Sequence, residues 1–208
     1  MATVLFAYPI AYYISFYGGV RKGLWLFLIT VPFWTGYLLR VMAWKVILGY
    51  NGVLNTTLMG LGLTDKPVES LLYSTNAVIL TLIHAWAVFA VLPVFVSLEK
   101  IDRSLIEAAT DLGDGPLRRF MRVTLPLSLP GVTGALLIVM IPTVGDYVTP
   151  KLVGGTEGVM IANAIQAQFG RASNWPLGAA LTVSTMVIVT AMAGAAVVVM
   201  RGFVRALR

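Results

Sequence analysis

Long apolar runs with almost no charge are the feature that most restricts the fold of this chain. Residues 75–98 contain no Asp, Glu, Lys or Arg, and across the chain 58% of residues are hydrophobic and 12% are charged. A helix needs about 20 apolar residues to cross a hydrocarbon layer about 30 Å thick. A transmembrane barrel would instead show segments of about 10 residues with alternating hydrophobicity. The sequence therefore predicts an all-α, polytopic transmembrane helical bundle.

The apolar runs predict five spans within a single transmembrane domain that covers residues 1–208. The spans are expected at residues 2–19, 24–46, 75–98, 128–148 and 176–200. The first run starts at the first residue and lacks the positively charged region that precedes the apolar part of a signal peptide. We therefore expect that a first span is missing from this chain.

The loop between the third and fourth spans, residues 99–127, is called the charged loop here. From Glu99 to Arg122 it carries five acidic and five basic residues. With the spans placed as above, ten of the 15 Lys and Arg residues fall on the side of this loop and five on the other. Basic residues are enriched in cytoplasmic loops, so the charged loop and the carboxyl terminus are predicted to be cytoplasmic. Because the bases lie at membrane edges, the net charge of +6 does not indicate nucleic acid binding.

Within the charged loop, the spacing predicts two short helices that lie against the membrane surface. The first has an apolar face with helical periodicity, formed by Leu98, Ile101, Leu105, Ala108 and Leu112. Gly113 is expected to end this helix in a left-handed conformation, and Asp114 to cap a second helix that starts near Pro116. The arrangement should expose the small Ala108 and Ala109 beside one carboxylate. Such a shape suits docking into a groove on a soluble partner.

In the charged loop, Glu107-Ala108-Ala109 is followed by Gly113 and then by Val123, Leu125 and Pro126. This spacing resembles the EAA motif of ABC-importer permeases. That motif reads Glu-Ala-Ala, three residues, Gly, nine residues, Ile, one residue and Leu-Pro. Its positions are occupied here by Glu107, Ala108, Ala109, Gly113, Val123 in place of Ile, Leu125 and Pro126. The resemblance implies that the loop forms coupling helices that sit in a cleft of a cytoplasmic ATP-binding subunit. Glu107 would make a polar contact there, the alanines would allow close approach, and Gly113 would form the turn.

The resemblance extends over most of the chain, and the sequence is most similar to spermidine/putrescine transport permeases. It is carried by VPFWTGYLLRVMAW, LEKIDRSLIEAATDLG, VTLPLSLPGV, IPTVGDYVTPKLVGG and NWPLGAAL. It implies a multi-pass protein of the bacterial inner membrane with six spans, of which this chain would begin at the second. The implied partners are a dimer of ATP-binding subunits, a second homologous permease and an extracytoplasmic solute-binding protein. ATP and Mg would be bound by the ATPase, and this chain would hold no cofactor.

Asp146 and Tyr147, at the end of the predicted fourth span, are the candidate residues of a substrate path. An acidic side chain at membrane depth is costly and therefore suggests a function. A carboxylate beside an aromatic ring would suit a polyamine cation. The alternative is that Asp146 caps a helix or pairs with Lys151 in the outer loop. No catalytic set and no metal-ligand spacing is present in the sequence, and there is no phosphate-binding loop.

Three other functions are alternatives to a polyamine permease. A permease of the same class could carry another solute, such as iron, thiamine, an opine or an anion, and the sequence separates these poorly. A secondary transporter should show an inverted repeat and charged residues inside several spans, neither of which is evident. A membrane-embedded enzyme would need catalytic side chains clustered at one depth. The sequence thus favours a transport subunit whose ATP hydrolysis occurs in another chain.

Overall fold

A computed structural model describes residues 1–68 and 71–206 of the chain. In these residues the secondary structure is helical and contains no strand, which confirms the predicted all-α class. Residues 69 and 70, in the connection between the predicted second and third spans, and residues 207 and 208 of the carboxyl tail lie outside the described residues. The helices are α1 (Ala2–Tyr17), α2 (Lys22–Thr30), α3 (Tyr37–Leu48), α4 (Val53–Gly60), α5 (Thr75–Glu99), α6 (Arg103–Asp111), α7 (Pro116–Arg119), α8 (Leu125–Val144), α9 (Ile161–Phe169) and α10 (Trp175–Ala206).

Three helical segments among the described residues are long and apolar enough to cross a membrane. They are Thr75–Glu99, Pro116–Val144 and Trp175–Gly202, and they correspond to the predicted third, fourth and fifth spans. The helix at the predicted first span, Ala2–Tyr17, is apolar but has only 16 residues. At 1.5 Å per residue it is shorter than a full hydrocarbon crossing requires.

The prediction of one continuous second span at residues 24–46 is wrong. The chain bends by 87° between the helical segments Gly19–Trp34 and Tyr37–Gly60, and the two count as one span only if a broken helix is accepted. The break lies at a 3₁₀ turn, Val31–Trp34, which is followed by Gly36 in an extended conformation with ψ of 142°. Pro32 disfavours a helical residue before it, and Gly36 starts α3 without a side-chain cap.

The described chain forms two compact units. The first contains Met1–Thr30, Trp86–Met140 and Val189–Arg208, and the second contains Val31–Ala85 and Ile141–Ile188. The core of the first unit brings together residues of α1, α5 and α8, with Ile101 from the loop that follows α5. Its members are Val4, Ala7, Ala11, Ala90, Val91, Val94, Leu98, Ile101, Ala135 and Val139.

Helices α5 and α8 approach closely within the first unit. A Cβ atom on Gly131 would lie 2.4 Å from the Ser97 Cβ and 2.5 Å from the Pro93 carbonyl oxygen. Small residues permit such contacts between membrane helices, where lipid supplies no hydrophobic drive for association. Gly131 therefore sets the separation of the two helices that flank the charged loop.

The helix that contains the predicted fourth span begins well before residue 128. A continuous helical segment runs from Pro116 to Val144, with a π-helical turn at Phe120–Thr124 between α7 and α8. The second helix of the charged loop is therefore continuous with the helix of the fourth span rather than a separate helix. Inserted π-turns keep a helix continuous while shifting the register of its faces.

In the second unit, buried Asn55 fastens the connection that follows α3. Its side chain is 0% exposed, and its Nδ2 donates to the Gly49 and Val68 carbonyl oxygens at 3.2 and 3.3 Å. Its Oδ1 accepts from the Val68 N–H at 2.8 Å. The amide of this one residue thus forms hydrogen bonds with backbone groups on both sides of α4. Buried polar groups require such partners.

Candidate functional site

The first helix of the charged loop, α6, begins at a side-chain cap. The Asp102 carboxylate accepts a hydrogen bond from the backbone N–H of Ser104 at 3.0 Å. This hydrogen bond favours the ionised acid and lowers the pKa of Asp102 below its ordinary value. The cap satisfies one of the free N–H groups at the start of the helix and fixes where the helix begins.

The predicted left-handed turn at Gly113 is present. Its φ is +84°, a conformation that costs other residues a steric clash at Cβ. Its N–H donates to the Thr110 carbonyl at 2.9 Å, and the Asp114 N–H donates to the Ala109 carbonyl at 3.0 Å. These two bonds form a Schellman motif, which ends α6 and reverses the chain toward α7.

The predicted cap of the second helix is wrong. Gly115, with no side-chain hydrogen bond, is the N-cap of α7. The Asp114 carboxylate instead accepts from the Arg122 guanidinium at 3.2 Å. Pro116 stands in the first turn of α7, where its missing N–H is not needed.

Leu98 and Ile101 of the predicted apolar face, which precede α6, lie in the core of the first unit, but the predicted members farther along the loop do not pack inward. Leu105 is 48% exposed and Leu112 is 87% exposed, whereas Ala109 is only 7% exposed. Ile106 packs against the core of the first unit. The helix therefore buries the side that carries Ile106 and Ala109. Both Ala108 and Ala109 were expected to be exposed, and the expectation is wrong for Ala109.

The outward side of the charged loop combines an acid with apolar groups. On α6 it presents the exposed Glu107 and the row formed by Leu105, Ala108 and Leu112. In the second half of the loop, Leu117 is 70% exposed and Met121 is 53% exposed. These six residues are called the loop surface below. An exposed apolar patch with a charged residue is typical of a protein interaction site.

The second half of the loop is fastened to α1 by aromatic and polar contacts. The Phe120 ring lies edge-on to the rings of Tyr8 and Tyr12, with centroids 5.8 and 5.9 Å apart. The hydroxyl groups of Tyr8 and Ser128 are 2.8 Å apart. Leu125 and Pro126 of the motif lie half-buried at the start of α8, directly after the π-turn. They thus hold the end of the loop where it enters the span.

Asp146 lies buried in the second unit, where it caps a helical stretch at residues 148–154 that ends in the π-helical turn Pro150–Gly154. It is 7% exposed, and its Oδ1 accepts from the N–H groups of Val148 and Thr149 at 2.9 and 3.2 Å. The Tyr37 hydroxyl donates to Oδ2 of the same carboxylate and lies 2.5 Å from the Thr149 hydroxyl. The capping alternative for Asp146 is therefore present in the structure. Tyr147, its neighbour, is 43% exposed.

Sequence reasoning missed Tyr37 as the partner of Asp146. The two residues are 109 positions apart, so no local pattern connects them. The available signal was a hydroxyl group inside an apolar segment, immediately after Gly36. A buried hydroxyl needs a partner, which makes such a residue a candidate for contact with an acid.

The second unit also contains a polar cavity of about 270 Å³, lined by residues of the connection between the fourth and fifth spans. Two basic side chains, Lys151 and Arg171, line it together with the amides of Asn163 and Gln166. The Asn163 amide donates to the Tyr147 carbonyl at 2.9 Å. Within the described part of the chain, neither Lys151 nor Arg171 forms an ion pair.

The long apolar helices define a multi-pass membrane protein with one charged loop between two of its spans. Residues 4–208 match the family described as "Binding-protein-dependent transport system inner membrane component". The chain belongs to this family. It is an inner-membrane permease subunit of an ABC importer, a transport subunit rather than a catalytic one.

The chain is similar to several characterised permeases. It is 36% identical over 192 residues to the spermidine/putrescine transport system permease protein PotB of Escherichia coli (strain K12), covering 92% of this chain and 70% of that protein. The corresponding PotB of Haemophilus influenzae is 37% identical over 185 residues, which cover 89% of this chain and 64% of that protein. A solved bacterial ABC transporter for import of the acidic polysaccharide alginate shares the fold, with a TM-score of 0.69 and 17% identity. The match covers 96% of this chain and 71% of that chain.

Proposed function

We propose that this permease imports a polyamine such as spermidine or putrescine and that an ATPase drives it through the charged loop. The loop surface carries the proposal, because it leaves Glu107 and an apolar row exposed while the opposite face of α6 is packed. In this proposal a dimer of ATP-binding subunits receives the loop. A second, homologous permease completes the pathway, since one subunit of this kind does not enclose it.

The proposed cycle assigns binding of ATP and Mg to the partner ATPase. Closure of its two subunits would pull the charged loop and switch the spans from an inward-facing to an outward-facing state. The excess of basic residues on the loop side supports a cytoplasmic position for the charged loop and the carboxyl terminus. A carboxylate at Glu107 would meet donors of the ATPase in a partly desolvated groove, where charge-assisted hydrogen bonds are strongest.

Binding of the ATPase to detergent-solubilised permease tests this proposal. Glu107→Lys should abolish stable binding and coupled ATP hydrolysis. It replaces a hydrogen-bond acceptor by a positively charged donor, which cannot pair with the donors of the ATPase. Glu157→Lys makes the same change at an exposed acid outside the loop and should leave ATPase binding unchanged. Normal binding and transport by the Glu107→Lys protein would overturn the coupling role.

A solute-binding protein is proposed to dock on the outer connections at residues 49–72 and 149–174. The cavity that contains Lys151 and Arg171 supports this, since two bases without ion pairs suit an acidic loop of a binding protein. Lys151→Glu should slow association with the binding protein, and the effect should shrink at high salt. Arg21→Glu, at an exposed base outside both outer connections, is the matched control for charge.

The solute assignment rests on similarity to spermidine/putrescine permeases and on a buried acid beside an exposed aromatic ring. Asp146→Asn removes the negative charge but keeps an oxygen that can cap the helix. If Asp146 and Tyr147 attract the cation, this variant and Tyr147→Ala should raise the apparent KM for spermidine. If Asp146 only caps, Asp146→Asn should transport normally. Uptake of iron, thiamine, an opine or an anion in place of spermidine would overturn the polyamine assignment.

A further inference from the structure

A second cluster of charged residues, separate from the loop surface, surrounds the Glu99 carboxylate at the end of α5. Its Oε1 accepts from the Ser15 hydroxyl at 2.6 Å and from the Lys22 ammonium at 2.7 Å. Its Oε2 accepts from the same ammonium at 2.9 Å. The Arg103 guanidinium lies 3.5 Å from Oε1. One carboxylate therefore gathers groups from α1, α2, α5 and α6.

Arg103 attaches the first turn of α6 to α1. Its guanidinium donates to the Ser15 carbonyl oxygen at 3.0 Å and to the Ser15 hydroxyl at 3.3 Å. It also lies over the Phe16 ring, 3.9 Å from the centroid. A planar guanidinium can bind a carboxylate, a carbonyl and a ring face together, which a Lys side chain does poorly. The start of α6 is thus fixed to α1 from several directions.

The cluster is concentrated at one place in the described chain. Of three ion pairs, two share Glu99, and the third joins Arg122 to Asp114 in another part of the charged loop. The Lys22, Glu99 and Arg103 side chains are 30 to 40% exposed. Ion pairs at such exposure add little stability, so their value lies in the geometry they impose.

The position of Glu99 connects the loop to the first span by a short route. Only Lys100, Ile101 and Asp102 separate α5 from α6. Lys22 starts α2, directly after the turn that follows α1. A movement of α6 reaches α1 through Arg103 and reaches α2 through Glu99 and Lys22. Coupling between distant sites requires contiguous contacts of this kind.

We propose that Glu99 is a positioning residue that transmits movement of the charged loop to α1 and α2. This inference rests on the proposed function, because it assumes that an ATPase moves the loop. Glu99 itself does not contact the ATPase; it holds α6 so that a pull on the loop surface shifts the spans. Loss of the cluster should therefore leave ATPase binding intact and uncouple ATP hydrolysis from transport.

The assembled importer in liposomes, with labelled spermidine as the probe, provides the test. Lys22→Glu should lower the number of spermidine molecules transported per ATP hydrolysed at least tenfold, because it places a second acid against Glu99. Lys22→Arg can still reach the carboxylate and should keep a ratio close to that of the unmodified protein. Arg21→Glu makes the same charge change one residue away, where no ion pair forms among the described residues. It should also keep the ratio.

Co-purification of the ATPase with each variant separates this inference from the proposed function. Binding should be equal in all variants, since the loop surface is unchanged. A ratio that stays normal in Lys22→Glu, or one that falls equally in Arg21→Glu, would overturn the positioning role of the cluster. A proportional fall in both hydrolysis and transport would show a structural role only and would also overturn it. Failure of the unmodified protein to bind the ATPase would overturn the proposed function and this inference together.

Discussion

Glu107 and Ala109 lie two residues apart on α6 and face different environments. Glu107 is exposed, whereas Ala109 is 7% exposed and belongs to the face that packs inward. Two residues correspond to about 200° around an α-helix, since each residue turns it by about 100°. The two alanines of the motif therefore have separate roles, one at the surface and one in packing.

Ala108 and Ala109 should respond differently to the same enlargement. Ala109→Phe forces a large ring into a packed site, and overpacking of this kind costs about 1–3 kcal/mol. Its thermal midpoint should fall by several degrees. Ala108→Phe places the ring in solvent and should leave the midpoint unchanged while blocking close approach of the ATPase. Thermal unfolding and ATPase binding of both variants measure the difference, and equal midpoints would contradict it.

The apolar part of the loop surface should contribute directly to ATPase affinity. Leu112 is 87% exposed, and burying a Leu side chain fully is worth about 1.5–3 kcal/mol. Leu112→Ala should therefore raise the dissociation constant about tenfold or more, since about 1.4 kcal/mol equals a factor of ten. Leu63→Ala removes a leucine that is 67% exposed in an outer connection and serves as the control. Equal dissociation constants for the two variants would exclude Leu112 from the interface.

Gly113 and Gly115 offer a matched pair for testing the turn between α6 and α7. Both have open space around a built Cβ, but only Gly113 has a positive φ, +84° against −65° for Gly115. Gly113→Ala should cost about 1–2 kcal/mol, the penalty of a left-handed L-residue. Gly115→Ala should cost less, because Ala can adopt this φ and only the preference for Gly at the N-cap is lost. Chemical denaturation monitored by a probe on the loop would distinguish the two, and a large effect of Gly115→Ala would refute the backbone explanation.

Local features of the chain were predictable from the sequence because their causes are local. The Gly113 turn and the two uncharged spans predicted at residues 75–98 and 176–200 depend on residues close in sequence. The inward face of α6 was not predictable, because α6 carries two apolar rows and tertiary packing selects between them. The pairing of Tyr37 with Asp146 likewise arises only when distant segments meet. The break at Gly36 was missed because hydropathy averages over a turn that Pro32 and Gly36 produce.

The Glu99 cluster was likewise not predictable from the sequence. Lys22 and Glu99 are 77 positions apart, and each alone resembles an ordinary residue at a membrane edge. Basic residues there are expected from topology alone, so their sequence position cannot distinguish a topogenic charge from a specific ion pair. Only the folded first unit brings Ser15, Lys22 and Arg103 to one carboxylate.

The Asp102 cap should control the order of the first turn of α6. Asp102→Ala removes the acceptor of the Ser104 N–H, whereas Asp102→Asn retains an acceptor. At neutral pH, amide exchange at residues 104–106 should be faster in the alanine variant and near normal in the asparagine variant. Asp111→Ala removes an exposed acid at the other end of α6 and is the control for charge. The same exchange rate at residues 104–106 in all three variants would contradict the cap.

The pH dependence of the cap has a definite sign. The hydrogen bond from Ser104 lowers the pKa of Asp102 in the folded state below its unfolded value. Its stabilising contribution is therefore complete at neutral pH and is lost as the pH falls through the folded pKa, below the usual range of Asp. Exchange protection at the Ser104 amide, corrected for the intrinsic rate, should stay constant from pH 7 to about pH 5 and fall only in stronger acid. Protection lost already near pH 6 would mean that another group, and not Asp102, controls the start of the helix.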